Sequence, residues 1–217
     1  MTARIVADDV DGRAAAVDIL RSGGIVALPT DTVYGIAVSP ATPGGIERLF
    51  HVKRRPLDKG IALLLESAAQ AATIGIMGPR ATLLADACWP GGLTLVVPQR
   101  TDVALPDVLT GGAPTIGLRV ADHPTPRVLA GAVGPLPTTS ANVSGQAEAA
   151  DAAGILEQLG DSIDLILDGG PAHGGPPSTV VDCSGDLPRV IREGAIPARR
   201  IEALLAAAGL AVDISAP

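Results

Sequence analysis

Short aliphatic segments bounded by glycine, proline or polar turns recur along the chain, at 25–28, 33–38, 61–65, 93–98, 115–120, 136–139, 165–167, 179–182 and 189–191. Brief runs rich in Val, Ile and Leu are strand signals, because a helix long enough to pack needs more residues. Helical spacing lies between them: around 14–20, stopped by Gly23 and Gly24, then at 45–52, 79–87, 125–130, 150–159 and 198–208. Some strands follow one another directly and others are separated by a helix. The pattern therefore predicts an α/β domain whose sheet is not purely parallel. A length of 217 residues suits one such domain, with no internal repeat, low-complexity tract or long linker. The expected organisation is a folded domain over 1–209 and a short tail at 210–217, a solvated end or a small lid.

The core must be aliphatic, since only Trp89, Tyr34 and Phe50 are aromatic. That scarcity argues against reading single-stranded nucleic acid on stacked aromatic platforms. A net charge of -7 argues against a general nucleic-acid role. No apolar run approaches a bilayer span, and the amino terminus lacks the order of a secretory signal, so a cytoplasmic location without membrane attachment is expected. Cys88 and Cys183 stand alone, outside any C-x-x-C, and read as buried free thiols.

Against this acidic background, Lys53, Arg54, Arg55 and Lys59 fall close together. The cluster contains Pro56 and follows a helical stretch, so an exposed loop is expected. Loop arginines suit phosphate oxygens, because a guanidinium offers paired donors in a planar fork. A solvated charge run is the bland alternative. P-loop, nucleophile-elbow and H-E-x-x-H signatures are absent. His51, His123 and His173 share no metal-ligand spacing and read as surface or structural residues, and the 169–175 glycine-rich stretch reads as a turn. Polar residues collect instead where strands end: Pro-Thr-Asp-Thr-Val-Tyr-Gly at 29–35, Thr-Thr-Ser-Ala-Asn-Val-Ser-Gly at 138–145, Thr115 with Arg119, and Ser-Thr-Val-Val-Asp at 178–182. Strand ends are where open α/β sheets bind ligands. Taken singly, each of these is equally a self-satisfied turn or helix cap.

Together, in this order, they resemble the YrdC-like threonylcarbamoyl-AMP synthase family. The resemblance spans most of the chain, with K-x-R as Lys53 and Arg55, S-x-N as Ser140 and Asn142, and Arg192 in Ile-Arg-Glu-Gly-Ala-Ile at 191–196. It implies the single-domain form of a twisted mixed parallel/antiparallel sheet with flanking helices around a basic cavity. It also implies a nucleotidyltransferase that converts L-threonine, bicarbonate or CO2 and ATP to threonylcarbamoyl-AMP and pyrophosphate. The product would serve threonylcarbamoyladenosine formation at position 37 of tRNAs reading ANN codons.

By the same resemblance Lys53 and Arg55 are catalytic, helped by Arg54. Arg55, Thr115, Asn142 and Arg192 contact ATP, while Thr32, Arg119, Ser140 and Ser178 hold L-threonine. Mg2+ accompanies the ATP, and no protein residue is assigned as a metal ligand. A downstream tRNA-modifying transferase complex is the implied partner, with weak tRNA or double-stranded RNA binding possible. Lys59 stands where the family commonly has asparagine, Leu64 where histidine is common, and the 146–150 stretch lacks the hydroxyl that usually follows Ser-Gly. Two other readings stay open: a nucleotide- or RNA-binding module without chemistry, and a carbamoyl-transfer role.

Overall fold

The structure of the protein, a computed structural model, describes residues 2–172 and 175–211. Its described strands form one 10-stranded sheet in the order β1-β8-β2-β3-β7-β4-β6-β5-β9-β10. In chain order these are β1 (Arg4–Ala7), β2 (Val26–Leu28), β3 (Gly35–Ala37), β4 (Ala62–Leu64), β5 (Leu93–Pro98), β6 (Thr115–Arg119), β7 (Leu136–Ser140), β8 (Leu165–Asp168), β9 (Thr179–Asp182) and β10 (Arg189–Arg192). Pairing is mixed, as expected: β1 with β8, β8 with β2, β4 with β6 and β5 with β9 run parallel, and the other neighbours antiparallel.

The helices are α1 (Val10–Arg21), α2 (Gly45–Lys53), α3 (Ala68–Ala71), α4 (Pro79–Cys88), α5 (Asp107–Thr110), α6 (Pro124–Val133), α7 (Ala152–Leu159) and α8 (Ala198–Ala207). Four of the longer ones start on a recognisable signal. Asp9 and Asp151 accept from the backbone N–H of Gly12 and Gly154, and prolines open α4 and α6. The strand β1 and the short helices α3 and α5 were not expected from the sequence.

Side chains alternate across each strand, and the two faces of this sheet are covered unequally. One face carries most of the helices: Leu49 and Phe50 of α2, Leu84 of α4, Ile155 of α7 and Ile201 of α8 close over Ile36, Leu63, Leu95, Leu118 and Val181, all almost fully buried. The other face is covered by α1 and α6, whose Ala16, Leu20, Leu129 and Ala130 pack on Val26, Leu28, Ala37, Leu136 and Leu165. Beyond these two helices it holds Gly35, Ala62, Thr94, Gly117 and Thr138, small or hydroxyl-bearing residues that floor a cavity.

Two sequence expectations change here. Lys53 is not on an exposed loop; it is the last residue of α2, in the stripe Ile46, Leu49, Phe50, Lys53 that faces the core, and it is buried. Helix α2 then ends on Arg54, whose φ of 52° is left-handed, so that the Arg55 N–H reaches the Phe50 carbonyl. That turn sends Arg54 outward and Arg55 inward. Because a non-glycine residue in this conformation is strained, Arg54→Gly should raise stability by about 1 kcal/mol in urea denaturation. Substrate affinity should not change.

Both cysteines are half-buried rather than fully buried, and burial raises both thiols, Cys183 to about 12. His123 accepts from the Thr125 N–H at the start of α6, and His51 is an exposed residue of α2. His173 lies outside the described residues. So does most of the tail, of which Leu210 packs back on α8 through a bond from its N–H to the Leu205 carbonyl. Among the described residues no helix is long and apolar enough to cross a membrane.

Candidate active site

The cavity has a volume of about 460 Å³, within the usual range for small-molecule sites. Thr32, Arg55, Thr115, Arg119, Ser140, Ser178 and Arg192, drawn from segments far apart in sequence, all line it. Lys53 and Asn142 sit directly behind the wall.

At one end stands Arg119, the last residue of β6. Its Nε donates to the Gly91 carbonyl at 3.1 Å, Nη1 to Thr32 Oγ1 at 3.0 Å and Nη2 to Asp31 Oδ1 at 2.6 Å. Burial lowers the pKa of Arg119, while Asp31 opposes that shift. The side chains of this ion pair are 8% and 15% exposed, so the guanidinium is fixed on three sides. Thr32 is held in turn by Thr30, whose Oγ1 accepts from the Thr32 N–H. The Thr-Asp-Thr motif is thus a cradle for one arginine.

A second wall is built around Lys53. Its Nζ donates to the Ser140 carbonyl at 2.5 Å, to Ser140 Oγ at 3.1 Å and to Asn142 Oδ1 at 3.0 Å. An ammonium has three protons, and three acceptors surround this one. The Asn142 amide continues the chain by donating to the Gln146 carbonyl at 2.7 Å. Burial first, then the neighbouring Arg55, lowers the Lys53 pKa to about 8, with Glu148 opposing.

Arg55 and Arg192 complete the basic end. Arg55 donates to the Lys59 and Gly60 carbonyls and its guanidinium lies 5.8 Å from the Phe50 ring centroid. Burial lowers its pKa, and Arg192 adds to that effect. Arg192 Nη2 donates to the Ser178 carbonyl at 2.7 Å and to Ser178 Oγ at 3.3 Å, and that hydroxyl lies 2.9 Å from Thr94 Oγ1. Lys59 is exposed and does not line the cavity, and Arg54 borders a separate surface groove beside Glu47, Arg48 and Leu57. Neither supports the basic end in the way the charge cluster suggested.

Asp31, Thr94, Thr138 and Glu148 belong to the site but were given no role from the sequence, although Asp31 and Thr138 fall in two of the polar strand-end segments. Thr94 had a readable signal, a lone hydroxyl inside the aliphatic strand Leu-Thr-Leu-Val-Val. Gly117 keeps the floor open: a Cβ there would lie 3.5 Å from Thr94 Cγ2 and 3.6 Å from Ala62 Cβ, ordinary contact distances. Gly117→Ala should be tolerated. Gly117→Val should fold, since β-branched residues suit strands, yet weaken ligand binding by about tenfold or more in calorimetry, because its methyls fill the floor.

This fold and cavity define an α/β ligand-binding domain with a guanidinium–hydroxyl end and a basic end. A family model described as "Telomere recombination", covering Sua5, YciO and YrdC, matches residues 18–194, and the chain belongs to this family. It is 34% identical over 194 residues to the threonylcarbamoyl-AMP synthase of Bacillus subtilis, covering 88% of this chain and 56% of that one. It is 35% identical over 195 residues to the putative threonylcarbamoyl-AMP synthase of Mycobacterium tuberculosis H37Rv, covering 89% of each. The crystal structure of Pyrococcus abyssi Sua5 complexed with L-threonine superposes with a TM-score of 0.86 at 31% identity, over 100% of this chain and 67% of that one. The chain therefore spans about half the length of the first of these relatives.

Proposed function

We propose that the protein is a threonylcarbamoyl-AMP synthase that uses L-threonine, CO2 or bicarbonate and ATP. The observation that carries this reading is a single cavity with two chemically distinct ends joined by one bridge, Ser140–Lys53–Asn142. The synthase relatives and the threonine-bound Sua5 favour this reading over a binding module without chemistry.

Arg119 and Thr32, with Ser140 from the Lys53 wall and Ser178 from beside Arg192, suit an amino-acid carboxylate and hydroxyl. Arg55 and Arg192 suit phosphate oxygens, with Thr115 also lining the cavity, whereas buried Asn142 acts from behind the wall, where its Oδ1 accepts from Lys53 and Ser140. Threonine's nitrogen, once carboxylated, presents a carbamate oxygen that attacks the α-phosphorus; the bond to the β-phosphate oxygen breaks and pyrophosphate leaves with the electron pair. No side-chain nucleophile is needed. Arg55 and Arg192 offset the repulsion between two anions and the charge gathering on pyrophosphate, and Lys53 fixes the residues between them.

Among the described residues no group of three metal-ligating side chains occurs, while Glu148 lines the cavity. That donor set fits a magnesium ion arriving on the nucleotide, with oxygens of ATP and water completing its shell. Bound there, magnesium would neutralise phosphate charge. The product would pass to a tRNA-modifying transferase, in the cytoplasm. Calorimetry with L-threonine and a non-hydrolysable ATP analogue tests the two-ended cavity: both should bind at once, and mutual exclusion would contradict it.

A further inference from the structure

Among the described residues lining the cavity, Glu148 is the one carboxylate. Its backbone is tied down on both sides: Asn142 Nδ2 donates to the Gln146 carbonyl at 2.7 Å, Gln158 Nε2 to the Ala147 carbonyl at 3.1 Å and the Ala172 N–H to the Ala150 carbonyl at 2.7 Å. Ala149 is buried. The loop is therefore held in place, with the exposed Glu148 lining the cavity. It acts on Lys53 and Arg192 through space. Among the described residues it forms no ion pair within 4.0 Å and no hydrogen bond. An unpaired carboxylate at the place where a triphosphate must lie repels the nucleotide unless a cation stands between them.

We infer that Glu148 anchors the magnesium ion carried by ATP, through a carboxylate oxygen directly or through a coordinated water. This rests on the proposed function, which puts the triphosphate against Arg55 and Arg192. Magnesium commonly takes one or two carboxylates alongside phosphate oxygens and waters, so a single glutamate is enough. The position is informative too. Glu148 falls in the 146–150 stretch that lacks the expected ATP-contacting hydroxyl, and a metal bridge from the same loop supplies a substitute contact. The competing role is a fixed counter-ion for Lys53 and Arg192 that the triphosphate must displace.

The two roles predict opposite signs. Binding of a non-hydrolysable ATP analogue would be measured by calorimetry for the wild type and Glu148→Gln, each with Mg2+ and with a chelator. Electron paramagnetic resonance of the Mn2+ complex would report on the metal itself. Glu148→Gln should weaken the Mg2+ complex by about 5- to 10-fold and tighten the metal-free analogue. The Mn2+ spectrum of the bound complex should change, and L-threonine affinity should not. Equal or tighter binding of the Mg2+ complex by the variant, or an unchanged Mn2+ spectrum, would overturn the inference and leave the counter-ion role. Failure of the wild type to bind the analogue under either condition would instead overturn the functional reading, and the inference with it.

Discussion

Lys53→Met should lower kcat/KM by about 100-fold or more for both substrates while leaving the protein folded. The expectation follows from what Lys53 holds: one ammonium binds both Ser140, proposed above to serve threonine, and Asn142, proposed to serve the nucleotide wall. Methionine fills similar volume without donors, so both acceptors lose a charged partner and the two walls lose their common reference. Stability should change little, because removing a buried cation relieves its desolvation while unpairing its acceptors, and each effect is about 1–3 kcal/mol. The same residue gives a pH signature. Its pKa is lowered to about 8 by burial, so the folded protein loses this charge as pH rises through about 8 while the unfolded chain keeps its proton to about 10.5. Between those values the unfolded state binds more protons, and Lys53's contribution to stability becomes more favourable with rising pH. The cavity becomes less positive across the same window. Affinity for an ATP analogue should accordingly fall by about tenfold between pH 7 and 9 in the wild type and stay flat in Lys53→Met. A variant that keeps the wild-type pH dependence would place that titration elsewhere.

Arg119→Ala should weaken L-threonine by about 100-fold or more, with a much smaller effect on ATP. Loss of a fixed guanidinium removes charge-assisted, directional bonds to the amino-acid carboxylate. It also removes the partner of Asp31, which the fold holds 2.6 Å away in a largely buried pair. Breaking such a pair from one side costs about 3–5 kcal/mol, so this variant should unfold at visibly lower denaturant. The two effects separate in the double variant Asp31→Asn/Arg119→Met. It should recover much of the stability and none of the threonine binding. Recovered binding would show that Arg119 acts on the fold rather than on the substrate.

The sheet was legible where short Val- and Leu-rich runs are bounded by turn residues: 93–98 and 179–182 match β5 and β9 residue for residue. Strand β1 was not, because Arg-Ile-Val-Ala is short, mostly exposed at a sheet edge, and stabilised by pairing with β8, far along the chain. The four-residue helices α3 and α5 are too short to show a periodicity. In the site, hydroxyls and arginines stood out because they interrupt apolar strands. Lys53 was misplaced because charge density and Pro56 suggested a loop, although Ile46, Leu49 and Phe50 lie at helical spacing before it. Asp31 shows the limit of local pattern: its role depends on Arg119, 88 residues away. The small floor residues were equally silent, since Gly35, Ala62 and Gly117 become a cavity only when alternate positions of separate strands share one face.

Whether one cavity joins threonine to AMP is decided by pyrophosphate release from the purified protein supplied with ATP, magnesium and bicarbonate, with L-threonine added or withheld. Release should require L-threonine and be accompanied by threonylcarbamoyl-AMP. Release at the same rate without threonine, or none with every substrate present, would contradict the account.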